Sequence, residues 1–333
     1  MKAMQLKQTS AINTGPLSEI DIEKPKPGPG QVCLKIHTCG VCHTDLHIVE
    51  GDLALPRLPL IPGHQIVGTV EAVGERVTLH QAGDRLGVPW LYHTCGQCRY
   101  CLAGRENLCQ NIRFTGLHAD GGYAEYIVVD EKFAYPIPAV FGDAAAAPLL
   151  CAGVIGFRSL RLSQIQPGQR LGLYGFGAAA HIVIQIARHW DCEVFVFTRS
   201  QHHRKLAQSL GAVWTGGAED DPGTVMASSI IFAPAGWLVP EALRLLDKGG
   251  TLALGGIHMS PIPEMPYDLL WHERMVQSVA NSTRQDALDL LEVAAKIPVK
   301  TEVELFPLER ANEALRRLKQ SEIYGAGVLQ ISD

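Results

Sequence analysis

The sequence predicts an α/β protein that combines a mostly antiparallel β domain with a doubly wound parallel-sheet domain. A chain of 333 residues is long enough for about two domains. Residues 1 to about 150 are rich in glycine, proline and alternating apolar residues, as expected of antiparallel strands joined by turns. From about Pro167 onward, short apolar strands alternate with helical segments, which is the pattern of a parallel sheet.

In the first region, alternation and glycine indicate the strands. Val32, Leu34 and Ile36 alternate with polar positions, as in a half-buried strand. Residues 66–77 are expected to form one strand, with Gly68 and Gly74 permitting bends or bulges. Proline–glycine pairs at 27–28 and 29–30 mark turns.

In the later region, strands and helices follow each other along the chain. We expect strands over residues 170–174, 193–197, 229–233, 251–255 and 275–280, and helices over residues 178–190, 202–210, 285–295 and 308–319.

Composition and charge exclude several classes of function. The net charge is −5, so there is no basic excess to neutralise the phosphates of a nucleic acid. The longest apolar stretch, residues 144–157, contains Pro148 and Gly153 and is shorter than the ~20 residues that cross a bilayer. Residues 1–10 are polar and lack the apolar centre of a signal peptide, so we expect a cytoplasmic protein without membrane partners.

Four of the nine cysteines lie in one short segment, spaced C-x2-C-x2-C-x7-C: Cys95, Cys98, Cys101 and Cys109. Four thiolates fill the tetrahedral coordination of zinc and leave no open position, as in structural zinc sites. An iron–sulfur cluster is the alternative, but the bacterial cluster spacing matches only the first half of this segment.

A second set of candidate ligands is scattered along the chain. Cys42 follows the predicted strand at 32–38, His64 opens the next glycine-rich strand, and Cys151 lies some 90 residues later. Two cysteines and one histidine are a known ligand set of catalytic zinc, which keeps one position for substrate. Cys39 and Cys42 are also spaced as a redox C-x-x-C pair.

A glycine-rich turn joins the strand at 170–174 to the following helix. Gly175, Gly177 and Ala180 fit the G-x-G-x-x-A pattern of dinucleotide-binding proteins. In this pattern the first glycine permits the turn, the second admits the pyrophosphate, and the small third residue lets helix and strand pack closely. The anion then lies at the positive N-terminus of the helix.

The end of the second strand of this region indicates the cofactor. Enzymes that use NAD carry an acidic residue there for the ribose hydroxyl, but this chain has Thr198 followed by Arg199. A guanidinium can bind a 2′-phosphate through two hydrogen bonds, and His202, His203 and Arg204 add donors nearby. We therefore predict a preference for NADP(H) over NAD(H); the alternative is that Arg199 is a solvated surface residue.

Four motifs, in the expected order, resemble the zinc-containing alcohol dehydrogenases of the medium-chain dehydrogenase/reductase superfamily. They are the four-cysteine segment, the glycine turn, the run Gly40-Val41-Cys42-His43-Thr44-Asp45-Leu46-His47, and the pattern Gly63-His64-Gln65-x2-Gly68-x5-Gly74-x2-Val77. The resemblance implies a GroES-like catalytic domain over residues 1–151 and 283–333, and a Rossmann domain over residues 152–282.

The resemblance also implies roles for individual residues. It makes Cys42, His64 and Cys151 the ligands of a catalytic zinc, with Asp45 bound to the far nitrogen of His64, and it leaves Cys39 outside the site. Thr44 and His47 would carry the proton. Besides Gly175, Gly177, Ala180, Thr198 and Arg199, the predicted cofactor-binding residues are His43, Phe176, Ala178 and Ile257. Leu53 and Trp90 would line the substrate pocket, with Leu91, Ile257 and Asn281.

Three positions depart from the family's usual residues: Gln65 replaces a glutamate, Ile155 a threonine, and Ala326 an arginine. The overall expectation is an oxidoreductase with two zinc ions per chain that interconverts primary alcohols and aldehydes, assembled as a homodimer or homotetramer. A polyol or secondary-alcohol dehydrogenase on the same fold is one alternative, and a non-catalytic nucleotide-binding protein is another.

Overall fold

The structure is a computed structural model that describes residues 1–332. The chain forms two compact units, here called the first unit and the second unit. The first contains Met1–Cys151 together with the chain from Ser282 onward, and the second contains Ala152–Asn281. The division expected from the sequence differs by one residue, Ser282.

The strands are β1 (Lys2–Leu6), β2 (Leu17–Asp21), β3 (Gln31–Gly40), β4 (Ile66–Val73), β5 (Arg85–Val88), β6 (Leu91–His93), β7 (Arg113–Phe114), β8 (Tyr126–Asp130), β9 (Tyr135–Pro136), β10 (Arg170–Tyr174), β11 (Glu193–Phe197), β12 (Trp214–Gly216), β13 (Met226–Ile231), β14 (Leu246–Leu254), β15 (Met275–Ser278), β16 (Val303–Pro307) and β17 (Ala326–Gln330).

The helices are α1 (His43–Glu50), α2 (Arg99–Leu102), α3 (Asp143–Ala146), α4 (Ala152–Leu162), α5 (Ala178–His189), α6 (Gln201–Ser209), α7 (Leu238–Arg244), α8 (Arg284–Lys296) and α9 (Ala311–Lys319).

The main sheet of the first unit has the strand order β16-β17-β3-β4-β5-β9, and β8 also pairs with β3. All these pairings are antiparallel except that of β16 with β17. The chain thus returns from the second unit to complete this sheet, since Leu329 of β17 pairs with Cys39 of β3. The main core of this unit includes the buried side chains of Leu34, Ile36, Ile66 and Leu329.

The predicted strand over residues 66–77 is too long, because β4 ends at Val73. Gly74 comes so close to another loop that a Cβ atom there would lie 1.9 Å from the Gly28 carbonyl oxygen. The Gly74 amide donates to Gln31 at 2.8 Å, and the Gly30 amide donates to Glu75 at 2.7 Å. These bonds hold a turn where the sequence predicts continued strand.

The second unit contains a parallel sheet in the order β12-β11-β10-β13-β14-β15. This is the doubly wound order in which ligands bind beyond the carboxyl ends of the strands, at the point where the order reverses. That point lies beside β10, which precedes Gly175. The β13 and β14 strands begin at Met226 and Leu246, earlier than the predicted starts at 229 and 251.

Among residues 1–332, no single helix has the length and apolar character needed to cross a bilayer. The stretch Asp143–Leu150 meets these criteria only when it is combined, across a bend, with Ala152–Leu162. The cytoplasmic location stays a prediction.

Replacing Leu329 by alanine tests the contribution of β17 to the first unit. Leu329 is fully buried, whereas Leu305 of the neighbouring β16 is 51% exposed. We expect Leu329→Ala to lower the free energy of unfolding by about 2–5 kcal/mol, the usual effect of removing a buried leucine. Urea denaturation followed by circular dichroism measures the change, and Leu305→Ala is the matched control. Equal effects of the two substitutions would contradict the placement of β17.

Candidate metal and nucleotide sites

The first site begins at the N-terminus of α1, where Cys42 is the capping residue. Its thiol accepts from the Thr44 amide at 3.5 Å, and its own amide donates to Asp45 Oδ2 at 2.9 Å. This reciprocal capping arrangement fixes both the sulfur and the carboxylate by local structure alone. The sequence predicts that Asp45 lies in the site through the family resemblance. Its position three residues after Cys42, which suits a capping residue, is a local signal that the sequence analysis did not use.

Asp45 connects α1 to the segment that carries His64. The carboxylate is completely buried, and its Oδ1 accepts from the Gly63 amide at 3.1 Å and from His64 Nδ1 at 2.9 Å. Because Nδ1 donates, Nε2 of His64 is the nitrogen that can bind a metal. The bond predicted for Asp45 on the far side of His64 is therefore present in the structure.

Glycines allow the His64 segment to pack tightly against the chain at 116–123. Gly63 has a φ of +102°, which favours glycine. A Cβ atom at Gly121 would lie 2.1 Å from the Gly63 carbonyl oxygen, and one at Gly116 would lie 2.8 Å from the Gly63 nitrogen. Backbone contacts of this kind hold His64 in place from behind.

Cys151 completes a three-residue cluster with Cys42 and His64. The two sulfurs lie 3.6 Å apart, and His64 Nε2 lies 3.4 Å from Cys151 Sγ. All three ligand atoms lie within 4.8 Å of one another. Tetrahedral zinc with Zn–S bonds of ~2.3 Å separates its ligands by roughly 3.3–3.8 Å, so this donor set fits zinc.

The electrostatics of the cluster favour a thiolate at Cys42. A hydrogen bond from the Cys151 thiol outweighs the effect of burial, and the neighbouring His64 acts in the same direction, so the pKa of Cys42 lies well below its usual value. The neighbouring Cys42 sulfur and burial raise the pKa of Cys151 well above its usual value. Burial also raises the pKa of Cys39, which lies in neither metal-ligand cluster.

The four-cysteine segment also forms a metal-ligand cluster, made by Cys95, Cys98, Cys101 and Cys109. Its neighbouring sulfurs lie 3.5–3.9 Å apart, again as in tetrahedral zinc coordination. Backbone amides stabilise the negative charge of the thiolates. The hydrogen bond from Cys101 lowers the pKa of Cys98 to about 6, and the amide of Cys95 donates to Cys109 Sγ at 3.3 Å.

An ion pair between a buried glutamate and a half-buried arginine connects the segment of the four cysteines, residues 95–109 (the cysteine lobe), to α8. Glu106, which is 5% exposed, accepts from both the backbone amide and the Nε atom of Arg284 at 2.8 Å. The Nη2 atom of Arg284 lies 2.7 Å from the same carboxylate. Sequence reasoning missed this pair because its members are 178 residues apart.

The predicted proton carriers lie on α1 next to the three-residue cluster. Thr44 is buried, and its hydroxyl is 3.7 Å from Cys42 Sγ. His47 lies three residues further along the same helix, and its Nδ1 donates to Asp52 Oδ2 at 2.8 Å. Sequence reasoning missed Asp52, which follows the helix directly after Gly51; an acidic residue five positions after the histidine was the available signal.

An aromatic stack borders the cluster. The Trp90 ring meets the His64 ring edge to face at a centroid distance of 4.8 Å, and it stacks on Phe114 at 4.8 Å with an interplanar angle of 12°. Phe114 did not figure in the sequence-based predictions. The other predicted pocket residue of this unit, Leu53, is half-buried against the main core.

The nucleotide motif of the second unit has the expected local geometry. Gly175 follows β10 with a φ of +86°, and a Cβ atom there would lie 3.0 Å from the Ala233 nitrogen. Gly177 caps α5, and a Cβ atom at Gly177 would project into open space, which leaves room for a ligand. Ala180 is completely buried, as expected where helix and sheet pack closely.

The residues predicted to recognise the ribose lie at the carboxyl end of β11. The Thr198 carbonyl accepts from Arg204 Nε at 2.9 Å, and its hydroxyl accepts from the Ser200 amide at 3.4 Å. The Arg204 side chain is therefore held by the Thr198 carbonyl, whereas the Arg199 side chain is exposed. Ile257, beyond the carboxyl end of β14, is 55% exposed.

The remaining predicted residues are placed as follows. His43 is exposed in the first turn of α1, Phe176 is buried beside Gly175, and Ala178 begins α5. Gln65 and Leu91 are buried, Ala326 begins β17, Ile155 lies in α4, and Asn281 is half-buried with a φ of +56°.

Two protein families match successive parts of the chain. Residues 28–139 match the family described as "Alcohol dehydrogenase GroES-like domain", and residues 178–296 match "Zinc-binding dehydrogenase". With the sheets described above, these matches confirm the predicted fold class.

Known proteins match the chain over nearly its whole length. It is 45% identical to "Probable alcohol dehydrogenase AdhA" of Mycobacterium tuberculosis (strain CDC 1551 / Oshkosh), covering 99% of this chain and 97% of that protein. It is 35% identical to an alcohol dehydrogenase of Geobacillus stearothermophilus, covering 95% and 96%. The structure of a cinnamyl alcohol dehydrogenase from Sorghum bicolor superposes with a TM-score of 0.89 at 27% identity, covering 99% and 98%.

Replacing Glu106 by glutamine tests the attachment of the cysteine lobe. Glutamine lacks the negative charge of the buried Glu106 carboxylate, which three nitrogen atoms of Arg284 contact. We expect a loss of about 1–2 kcal/mol in the free energy of unfolding, less than for a fully buried pair because the Arg284 side chain is 37% exposed. Thermal denaturation measures the effect, with Glu292→Gln as control because its pair with Lys296 on α8 is exposed. If both variants melt like the unmodified protein, Glu106 does not fasten the lobe.

Proposed function

The chain belongs to the zinc-containing alcohol dehydrogenases of the medium-chain superfamily and is an oxidoreductase, and from this premise we propose that it interconverts primary alcohols and aldehydes with NADP(H). The observation that carries the proposal is the convergence of Cys42, His64 and Cys151, which come from three distant segments, within 4.8 Å of one another. Two thiolates and an imidazole leave a fourth position of zinc for the substrate oxygen.

The residues around this cluster have different roles in the proposed reaction. A zinc ion held by Cys42, His64 and Cys151 would supply a Lewis acid for an alcohol or aldehyde oxygen, and a bound nicotinamide would supply the hydride carrier. Asp45 holds His64 with Nε2 directed at the cluster, so that the imidazole binds as the correct tautomer. Because Asp45 is completely buried, water does not compete for its bonds to His64 and Gly63.

Thr44 and His47 provide the path for the substrate's proton. The Thr44 hydroxyl lies beside Cys42, where it can accept the proton of an alcohol and pass it on. His47 is three positions further along α1, so both side chains lie on one face of the helix. Asp52 accepts from Nδ1 of His47, which orients the ring, and an imidazole is a side chain that can take up a proton and release it to solvent.

The aromatic stack beside the cluster supports primary alcohols and aldehydes as substrates. The Trp90 ring meets the His64 ring edge to face and stacks on Phe114, so a flat and bulky side chain adjoins the proposed metal site. Such a neighbour leaves less room for a second substituent on the reacting carbon, which favours primary over secondary alcohols. The name of the Sorghum relative, a cinnamyl alcohol dehydrogenase, agrees with a primary alcohol.

A second, structural zinc is proposed for the cysteine lobe. Four sulfurs within ligand distance of one another fill the coordination of zinc and leave no position for substrate. This ion would therefore stabilise the lobe that Glu106 fastens to α8 and would take no part in the chemistry.

The proposed preference for NADP(H) rests on the chain after β11. No carboxylate stands at Thr198, so a 2′-phosphate meets no repulsion, and the exposed Arg199 can bind it through two hydrogen bonds. Among residues 1–332, Arg199 makes no hydrogen bond or ion pair that would hold it elsewhere. The proposed assembly is a homodimer or homotetramer.

Metal analysis of Cys42→Ser tests the proposed catalytic site. We expect the unmodified protein to hold two zinc ions per chain and the variant to hold one and to lose aldehyde reduction, since a hydroxyl is a poor zinc ligand. Zinc is counted by plasma mass spectrometry, and activity by oxidation of NADPH with an aldehyde. The control is Cys33→Ser, a buried cysteine outside both clusters. Full activity in Cys42→Ser would refute the assignment.

Replacing Arg199 by alanine tests the proposed cofactor. We expect kcat/KM for NADPH to fall about tenfold to a hundredfold, because a charge-assisted bidentate contact is lost, while kcat/KM for NADH stays within twofold. Arg170→Ala is the control, since Arg170 lies at the amino-terminal end of β10, whereas Arg199 follows the carboxyl-terminal end of the neighbouring β11. A clear NADH preference in the unmodified protein would refute the proposed cofactor. An equal fall in kcat/KM with NADPH and NADH in Arg199→Ala would show that Arg199 does not bind the 2′-phosphate.

A further inference from the structure

Tyr123 is a buried polar side chain for which the mechanism above has no use. Its ring and hydroxyl are completely buried. Within residues 1–332, the hydroxyl makes no hydrogen bond of good geometry. A buried hydroxyl without a partner costs free energy, so its presence in the core behind the cluster requires a reason.

Tyr123 lies directly behind the segment that carries His64. The Tyr123 amide donates to the Pro62 carbonyl at 3.0 Å, and its carbonyl accepts from the Met4 amide at 2.8 Å. A Cβ atom at Gly63 would lie 2.5 Å from the tyrosine ring. The ring is thus fixed against Gly63 by the backbone on both sides and has little freedom to turn away.

Tyr123 lies close to the carboxylate that orients His64, because Gly63, against which the tyrosine ring packs, donates its amide to Asp45. Oδ1 of Asp45 already accepts from Gly63 and His64, whereas Oδ2 accepts only from the Cys42 amide. A carboxylate has about four acceptor positions, so Oδ2 has room for another donor. A tyrosine hydroxyl is a donor as well as an acceptor, so it can supply that additional hydrogen bond.

We propose that Tyr123 is a positioning residue for the metal site: its hydroxyl donates to Asp45 Oδ2 in the loaded site and thereby fixes the carboxylate that orients His64. The inference rests on the proposed zinc site at Cys42, His64 and Cys151. In this proposal, His64 is oriented both by Asp45 at the start of α1 and, through Asp45, by Tyr123 of the segment at 116–123.

The test is the affinity of the site for zinc in Tyr123→Phe, which keeps the ring and removes only the hydroxyl. Loss of an outer partner of a metal ligand weakens binding roughly tenfold to a hundredfold, and we expect about tenfold. Transfer of zinc to a chromophoric chelator is followed, and the phase that is missing in Cys42→Ser reports this site. Tyr135→Phe is the matched control, because Tyr135 is also buried with an unpartnered hydroxyl.

A double-mutant cycle shows whether Tyr123 acts through Asp45. Once Asp45→Asn has weakened the site, adding Tyr123→Phe should weaken it no further, because coupled residues are not additive. Additive effects of the two substitutions would overturn the proposal.

The melting temperature of the metal-free protein distinguishes the proposal from the alternative that the hydroxyl is simply unpaired. If the hydroxyl is only an unpaired buried group, Tyr123→Phe leaves zinc affinity unchanged and maintains or raises the melting temperature of the metal-free protein, and the proposal is wrong. If the unmodified protein shows no chelator phase that depends on Cys42, the zinc site itself is refuted, and this inference with it.

Discussion

The site of the first unit depends on the hydrogen bonds made by one buried carboxylate, that of Asp45. Asp45 has no contact with solvent and accepts from the amides of Cys42 and Gly63 and from the His64 ring. An ionised carboxylate in such a place is very costly unless its oxygens are occupied. The same bonds therefore stabilise the carboxylate, begin α1, and direct His64. Any change that displaces one donor strains the other two.

The closely packed glycines follow from the same constraint. For the Gly63 amide to reach Asp45, the chain at 60–64 must lie close to both α1 and the segment at 116–123. At Gly63, Gly116 and Gly121 a side chain would overlap neighbouring atoms. Here glycine is required for the close approach of one backbone segment to another and, at Gly63 and Gly116, also for a positive φ.

Sequence reasoning succeeded where the signal is local and failed where it depends on distant contacts. The alternation of strands and helices and the turn at Gly175 have short-range causes and were predicted from the residues themselves. The grouping of Cys42, His64 and Cys151 was available only through the family resemblance, because nothing in the spacing brings residues 42 and 151 together. The end of β4 at Val73 and the pair of Glu106 with Arg284 depend on partners far along the chain, so the sequence did not reveal them.

The two cysteine-containing clusters differ in how far apart their members lie along the chain. The lobe uses residues 95–109, whereas the other cluster spans residues 42–151. During synthesis on the ribosome, the lobe could bind the proposed structural ion as soon as Cys109 has emerged. The other cluster could bind the proposed catalytic ion only after Cys151 has emerged and β3, β4 and α1 are in place. If both proposed sites hold zinc, a shortage of zinc would act on two different stages of biogenesis, and a chain with its lobe filled could still lack the second ion.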